Sequence, residues 1–337
     1  MWDVVGHSSA LHLLGKSLAA NALVGAYLFV GPTHVGKGTL AKELAKAVNC
    51  GNTEEHASGP CNACRQCDRI GKGIHADVVT LEVQEEAGRK AIGIEQVREA
   101  QRQASLRPFE GQNRVLIFDR ADALTIEASN ALLKTLEEPP SNVILILLTD
   151  NESGLLSTVR SRCQRLQLHP LTETEVATAL EKHWGASPEA VRNLARLCRG
   201  CIGWGVRALE EPSVLENRTQ MVDRVSVLAS ASLETRFAYA NELAVLFPRS
   251  RSSVFSVLEE WATWWRDLLL VSHGLQEAIL NLEHGPLLEE QATCYSVVQL
   301  MNNLYTILHT AELLKQNVSP RLALENLMLS LQSTEAQ

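Results

Sequence analysis

Two glycines and a lysine that follow an apolar run give the clearest chemical signal in this sequence. Residues 27–40 read YLFVGPTHVGKGTL, which combines a strand pattern, a glycine loop and the start of an amphipathic helix over residues 36–48. Backbone N–H groups in such a loop can cradle phosphates, and Lys37 would reach their terminal oxygens. The predicted nucleotide-binding residues in this P-loop are Gly31, Pro32, Gly36, Lys37, Gly38 and Thr39.

The residues that would handle magnesium and water depart from this pattern. The residue after the lysine, which normally offers a hydroxyl to magnesium, is Gly38, and Thr39 comes one place late. The apolar run RVLIF ends at Asp119, whose carboxylate would face the metal. Hydrolysing enzymes place a glutamate next to it to orient water, but the residue here is Arg120, a cation that cannot act as that base. Binding of ATP or ADP with magnesium therefore stays open at this point.

Two further polar positions could contribute to nucleotide chemistry. Thr149 ends an aliphatic run and could sense a γ-phosphate, with Asp150 and Asn151 as alternatives. Arg162 lies in the segment TVRSRCQ at a predicted helix end. An arginine on a rigid edge can reach a neighbour's nucleotide site and stabilise transition-state charge in trans, although the tripeptide SRC alone fits a surface arginine better.

Four cysteines after the P-loop helix have the spacing of a metal site. Cys50 is followed by a ten-residue gap and then by two overlapping Cys-x-x-Cys pairs, Cys61, Cys64 and Cys67. Four thiolates suit tetrahedral zinc, so we predict one structural ion, with an iron–sulfur cluster as the alternative. The other cysteines are interpreted as buried thiols: Cys163, Cys198, Cys201 and Cys294.

Strands that alternate with helices must position these residues. Apolar runs over 27–30, 75–84, 114–118 and 142–148 are separated by amphipathic patterns typical of helices. This alternation predicts an α/β fold with a doubly wound parallel sheet and a nucleotide site at the carboxyl ends of its strands.

The character of the sequence changes after Leu168. A capping box at Thr172–Glu175 opens a helix, and beyond the short helices that follow only long leucine-rich amphipathic patterns remain. Trp261, Trp264 and Trp265 are interpreted as packing residues rather than base-stacking ones. We predict a P-loop domain over residues 1–167 with a zinc module at 50–67, a small helical domain over 168–210 and a larger helical domain over 211–337.

Composition limits the classes of function. The 337 residues carry a net charge of −8, which argues against a protein that grips nucleic acid over its whole surface. We find neither a basic-then-apolar leader pattern nor an apolar run of membrane-spanning length. The expected location is therefore the cytoplasm, with no membrane contact.

Several motifs occur together along the chain: the P-loop segment, the four cysteines, IEQVR from Ile94, NALLKTLEEPP from Asn130, SRC from Ser161 and PRLALENL from Pro320. Together they resemble the clamp-loader branch of the AAA+ proteins, in particular the delta prime family of bacterial DNA polymerase III. The likeness is nearly continuous from Trp2 to about Leu209 and thin through most later helices.

The resemblance implies a P-loop AAA+ domain, a helical lid and a collar domain that takes part in oligomerisation. It also implies partners: gamma or tau motor subunits and delta in a hetero-pentamer, which opens a sliding clamp and places it on primed DNA. The chain would then be part of the DNA polymerase III holoenzyme. Whether it has an enzymatic activity of its own stays open.

Departures from the family pattern suggest which member this chain resembles. Motor subunits carry a hydroxyl after the P-loop lysine, a glutamate after the strand-end aspartate and a sensor arginine, where this chain has Gly38, Arg120 and Trp204. Loss of a positioned base alone costs about 10²- to 10⁴-fold in rate. The resemblance therefore implies a non-hydrolysing, stator-like subunit whose Arg162 acts as the catalytic arginine in a neighbour's ATP site.

Alternatives remain. An active motor subunit would need Thr39 and Arg207 to replace the missing groups, and a free-standing zinc-containing ATPase would bind DNA without partners. Arg98, Arg102 and Arg107 could face DNA phosphates in the assembled complex, but they equally fit a solvated helix face offset by nearby glutamates.

Overall fold

A computed structural model describes residues 1–52, 59–86, 89–316 and 318–331. The chain divides into two compact units, Met1–Val206 and Arg207–Gln337, each with its own hydrophobic core. Residues 53–58 of the predicted zinc module, residues 87–88 of the predicted P-loop domain, and residues 317 and 332–337 of the predicted last domain lie outside the described residues. The finer division of the first unit at residue 167 stays a prediction.

The first unit is built on a parallel sheet. Its strands, in chain order, are β1 (Ala26–Val30), β2 (Val78–Leu81), β3 (Gln84–Glu86), β4 (Arg89–Ala91), β5 (Arg114–Phe118), β6 (Val143–Thr149) and β7 (Gln164–Gln167). Five of them form one sheet in the order β2-β5-β6-β1-β7, in which every neighbouring pair is parallel, while β3 and β4 form an antiparallel hairpin. The predicted fold class is confirmed.

Helices α1 to α9 alternate with these strands and then continue beyond β7. They are α1 (Ser8–Ala19), α2 (Lys37–Asn49), α3 (Arg65–Gly71), α4 (Ile94–Ala104), α5 (Ile126–Glu137), α6 (Ser157–Arg160), α7 (Glu173–Trp184), α8 (Pro188–Leu197) and α9 (Ile202–Glu210). Local chemistry sets their ends: Thr125 caps α5 through the Ala128 N–H, and the predicted capping box of Thr172 and Glu175 opens α7.

The central strands are buried on both faces. In β1, Leu28 and Val30 enter a core that also contains Val97 of α4 and Leu132 of α5. Phe29 points the other way and packs in a second core with residues of α1 and α2. Every residue of β1, β5 and β6 is buried, as expected for a doubly wound sheet. Polar side chains can therefore act only where these strands end.

The second unit is helical throughout its described residues. Its helices are α10 (Pro212–Leu228), α11 (Leu233–Leu246), α12 (Arg251–Ser272), α13 (Gly285–Ala292), α14 (Val297–Lys315) and α15 (Pro320–Ser330). Trp261, Trp264 and Trp265 of α12 are at most 1% exposed and lie in the core of this unit, so their interpretation as packing residues is confirmed. None of the described helices of the chain is long and apolar enough to cross a membrane.

A buried arginine joins the ends of two helices in this unit. The guanidinium of Arg236 on α11 donates to the carbonyls of Leu228 and Ala229 at the end of α10, and to those of Met328 and Leu331 around the end of α15. Four carbonyl oxygens at helix C-termini offer partial negative charge, which helps to stabilise a cation that is only 5% exposed.

The prediction of a buried thiol is wrong for Cys294. This residue follows the end of α13 and is exposed, because the short helix buries Leu288 and Ala292 and the chain then turns outward toward Ser296, the N-cap of α14. Cys198 is buried as predicted, whereas Cys163 and Cys201 are only partly buried.

A buried carboxylate fixes the connection between α4 and β5. Asp77 accepts hydrogen bonds from the backbone N–H groups of Phe109, Glu110 and Gly111 at 2.7–2.8 Å and from Nη2 of Arg114 at 2.8 Å. Burial alone would raise the pKa of Asp77, but these four donors together hold it below its usual value. The carboxylate thus ties β2, β5 and the loop before β5 together.

We expect Asp77→Asn to lower the free energy of unfolding by about 3–5 kcal/mol, because Arg114 would lose its buried counter-charge and an amide N–H would face backbone donors. The contribution of the wild-type carboxylate is complete above its unfolded-state pKa of about 3.9 and is lost as pH falls through its lower folded-state pKa. Urea unfolding at pH 7 and at steps down to about pH 2 measures both effects.

The matched control is Glu95→Gln, which breaks an exposed pair with Arg98 and should change stability by no more than about 0.5 kcal/mol. Equal stability of Asp77→Asn and wild type at pH 7 would contradict the assigned role.

Candidate functional site

The P-loop has the predicted strand–loop–helix form. It runs from the end of β1 to the first residue of α2, and it needs glycine at two points. A Cβ on Gly31 would lie 2.6 Å from the carbonyl oxygen of Leu168, and Gly36 has a φ of +111° in the left-handed region. The loop is therefore fixed in shape by close backbone packing on one side and by a positive φ on the other.

Lys37 is folded back onto this loop. Its Nζ donates to the carbonyl oxygens of Gly31 at 2.7 Å and Pro32 at 2.9 Å. Burial lowers the pKa of Lys37, while Asp150, Asp119 and Asp122 oppose that shift. The ammonium group thus lies at the point where the carboxyl ends of the strands bring negative charge together, and a phosphate would compete for it with the loop's own carbonyls.

The ends of β5 and β6 supply the acidic and hydroxyl groups around the lysine. Thr149 is 1% exposed, and its hydroxyl donates to Oδ1 of Asp122 at 3.2 Å and accepts from the Asn151 N–H at 3.0 Å. Asp150 accepts from the hydroxyl of Thr33 in the P-loop at 2.9 Å. Thr149 therefore lies in the cluster, as its position in the sequence suggests, but its hydroxyl is held by protein groups.

Asp122 was not identified from the sequence, although it lies three residues after Asp119. Burial raises the pKa of Asp122, and the nearby charge of Asp150 raises it further. The signal that could have identified it is the short turn after β5, which returns the chain to the end of the sheet.

The two departures seen in the sequence lie at the same end of the sheet. Gly38 is exposed in the first turn of α2, and no heavy atom lies within 4 Å of where its Cβ would be, so the missing hydroxyl reflects residue choice and not lack of space. Thr39, one residue later, is exposed as well. Arg120 has a φ of +61°, and its Nη2 lies 3.7 Å from Oδ2 of Asp122. A cation thus stands beside the exposed Asp119, where a base would be needed.

Residues outside the sequence motif also hold the loop. The ring Nε2 of His7 is 2.9 Å from the carbonyl oxygen of Val35, and the Gly203 N–H of α9 donates to the carbonyl oxygen of His34 at 2.9 Å. Trp204, at the predicted sensor position, follows in α9 and is partly buried. Arg207, the alternative, pairs with Glu211 four residues on at 3.1 Å. Neither long-range contact of the loop could be read from local patterns.

Arg162 lies in the turn after α6 and points its guanidinium at the end of α5. Its Nε and Nη2 lie 2.8 Å and 2.6 Å from Oε1 of Glu137, and its Nη1 donates to the carbonyl oxygen of Thr158 at 3.0 Å. The side chains of Arg162 and Glu137 are 35% and 49% exposed. The arginine is therefore held in one place on the surface of the unit, remote in sequence from the P-loop.

The four predicted metal ligands converge. The Sγ atoms of Cys50, Cys61, Cys64 and Cys67 lie within 4.8 Å of one another. A tetrahedral zinc ion with Zn–S distances near 2.3 Å would hold its sulfurs about 3.8 Å apart, so a small contraction would complete the site. Cys50 ends α2 and Cys64 caps α3, so two helices of the first unit present the ligands.

Backbone donors around the cluster favour thiolates. The N–H of Cys64 points at Sγ of Cys61 at 3.3 Å, and the N–H groups of Cys61 and Cys67 each point at a ligand sulfur at 3.5 Å. Hydrogen bonds of this kind stabilise the negative charge that a metal-bound sulfur carries. The donor set and its surroundings fit a structural zinc ion.

The candidate DNA-facing arginines are exposed and largely paired. Arg98 and Arg102 on α4 bond to Glu95 and Glu99 at 3.1 Å and 2.9 Å, and Arg107 is exposed in the following loop. These pairs offset the positive charge of the helix face. A DNA contact by this face stays a prediction.

Comparison with known proteins agrees with the geometry. Residues 6–172 match the family model described as DNA polymerase III, delta subunit. The DNA polymerase III subunit delta' of Bacillus subtilis is 27% identical over 322 residues, which cover 96% of this chain and 95% of that protein. Its counterpart in Pseudomonas aeruginosa is 35% identical over 60% of this chain and 61% of its own length.

Tau and gamma subunits of DNA polymerase III are similar to the chain as well. The DNA polymerase III subunit tau of Bacillus subtilis is 36% identical over 182 residues, which cover 53% of this chain but only 31% of that protein. Delta' and gamma relatives both align along most of the chain, so the length of the match does not separate the two types of subunit. The chain belongs to the clamp-loader family of AAA+ proteins that the bacterial DNA polymerase III delta prime subunits represent.

Proposed function

We propose that the chain is a non-hydrolysing, stator-like delta prime subunit of a bacterial clamp loader. One observation carries the proposal: at the end of β5, the position of the water-orienting glutamate is held by Arg120, paired with Asp122, while Gly38 leaves magnesium without its hydroxyl. The P-loop keeps its shape, but the groups that would drive hydrolysis are replaced. The delta' relatives support the same assignment.

In this role the chain acts on its neighbours. It would join gamma or tau motor subunits and delta in a hetero-pentamer that loads a sliding clamp onto primed DNA. Arg162 would stabilise transition-state charge in the ATP site of the adjacent motor subunit, because its guanidinium is exposed and is held by contacts with Glu137, Thr158 and Ser161 of its own unit. The four-cysteine cluster would hold one structural zinc ion.

The alternative is an active motor subunit. The similarity to tau supports it, and it predicts ATP turnover by the isolated chain. For the proposed stator-like subunit we expect no ATP turnover with magnesium above a buffer control, because Arg120, and not a carboxylate that could orient water, directly follows Asp119. The measurement is phosphate release by purified chain, with the motor subunit as a positive control. Steady turnover by the isolated chain that Lys37→Ala abolishes would establish the motor alternative instead.

We expect the Arg162→Ala variant to fold normally. It should lower the ATPase rate of the assembled complex by at least the fraction of that rate that comes from the ATP site next to Arg162. Removal of an arginine finger costs about 10³- to 10⁵-fold at the affected site in related chemistry. The control is Arg165→Ala, which removes a nearby arginine paired with Glu152 on the same surface segment. An Arg162→Ala complex as active as wild type would refute the role in trans.

We expect purified chain to contain about one zinc ion, and Cys64→Ser to reduce that content and lower the thermal midpoint, because the metal joins α2 to α3. Metal analysis after gel filtration measures the content. Cys294→Ser, at an exposed cysteine in the other unit, is the matched control and should leave it unchanged. Iron in place of zinc, or no metal, would contradict the assignment.

A further inference from the structure

The ion pair between Glu137 and Arg162 joins the end of α5 to the turn after α6. Glu137 is the last residue of α5, and the chain then passes through Pro139 and Pro140. A Cβ on Gly25 would lie 2.2 Å from Pro139, which shows how closely this corner packs before β1. The carboxylate therefore projects from a point that the core of the first unit fixes.

The arginine side is equally constrained. The Arg162 N–H donates to the carbonyl oxygen of Val159, a residue that is fully buried. The guanidinium then receives support from two elements: Glu137 of α5 binds its Nε side, and the Thr158 carbonyl of α6 binds Nη1. An arginine side chain normally samples many rotamers, and these contacts favour the one described here.

The geometry leaves part of the guanidinium for another anion. Its five N–H donors lie in one plane, and Glu137 takes the Nε–H and an Nη2–H through a single oxygen. The Thr158 carbonyl takes one Nη1–H at 3.0 Å, and Nη1 also makes a long contact of 3.4 Å to the hydroxyl oxygen of Ser161. The outer edge therefore carries the second Nη2–H and an Nη1–H that only this long contact holds. That edge has the fork geometry that suits phosphate oxygens.

We propose that Glu137 is a positioning residue for Arg162, which orients the outer edge of the guanidinium toward a phosphate bound by an adjacent subunit. This inference rests on the proposed role of Arg162 in trans. An exposed ion pair of this kind contributes little to folding stability, so its main effect is on orientation. Glu137 itself touches no nucleotide in this scheme.

The test uses single-turnover ATP hydrolysis by the full complex, followed by rapid quench. Arg162→Ala first identifies the kinetic phase that depends on this interface. Glu137→Gln should slow the same phase about 3- to 10-fold, since small misplacements of a catalytic group cost up to about 10²-fold. The ATP concentration at half-saturation should stay the same, because Glu137 acts on the transition state through Arg162. Glu137→Asp, which keeps the charge, should recover part of the rate.

Two controls separate positioning from stability. Glu138→Gln changes the next residue, which is also exposed, and should leave the phase and the thermal midpoint unchanged. The double variant Glu137→Gln/Arg162→Ala should be no slower than Arg162→Ala alone. If Arg162→Ala slows a phase and Glu137→Gln does not, or if the two losses multiply, the positioning role is refuted. If Arg162→Ala slows no phase, the role in trans itself is wrong.

Discussion

Burial of the central strands on both faces is the constraint on which the rest of the first unit depends. Because β1, β5 and β6 present apolar side chains to two cores, they have no polar face along their length. Polar chemistry is then confined to the points where the strands end, and parallel pairing brings those ends to one edge. The P-loop, the acidic residues and Thr149 meet there for that reason. The same edge would be built whether or not the chain hydrolyses ATP.

This constraint explains how hydrolytic residues can be replaced without loss of the fold. Gly38 and Arg120 are exposed and contribute nothing to either core. The residues that shape the loop are instead glycines with close backbone neighbours, and Gly31 cannot change without displacing Leu168. The residues that shape the loop and the exposed positions that matter for hydrolysis are therefore separate sets. A retained P-loop is weak grounds for inferring an active ATPase.

Local patterns predicted much of this molecule, and their failures have physical causes. Helix α5 has local causes for both of its ends, because Thr125 caps its start and two prolines follow Glu138. The four cysteine ligands could be predicted because their spacing is itself the chemical requirement. Three other features could not be predicted, since each joins segments far apart in sequence. They are the hydrogen bonds of Asp77, the contact of His7 with the P-loop and the hydrogen bonds of the buried Arg236. Cys294 was misplaced because a cysteine just past a helix end carries no periodic signal of its burial.

Buried and exposed charged residues have different roles in this chain. Asp77 and Arg236 are buried and fully engaged, so each holds distant backbone segments together, and removal of either partner would leave an uncompensated polar group. The Glu137–Arg162 pair is half exposed, so solvent screening leaves it little effect on folding. A surface pair that hardly stabilises the fold, yet is fixed on two rigid elements, is better explained by what it presents to a neighbour. Under the proposed function, the charge that serves catalysis thus lies in the turn after α6 and not in the chain's own P-loop.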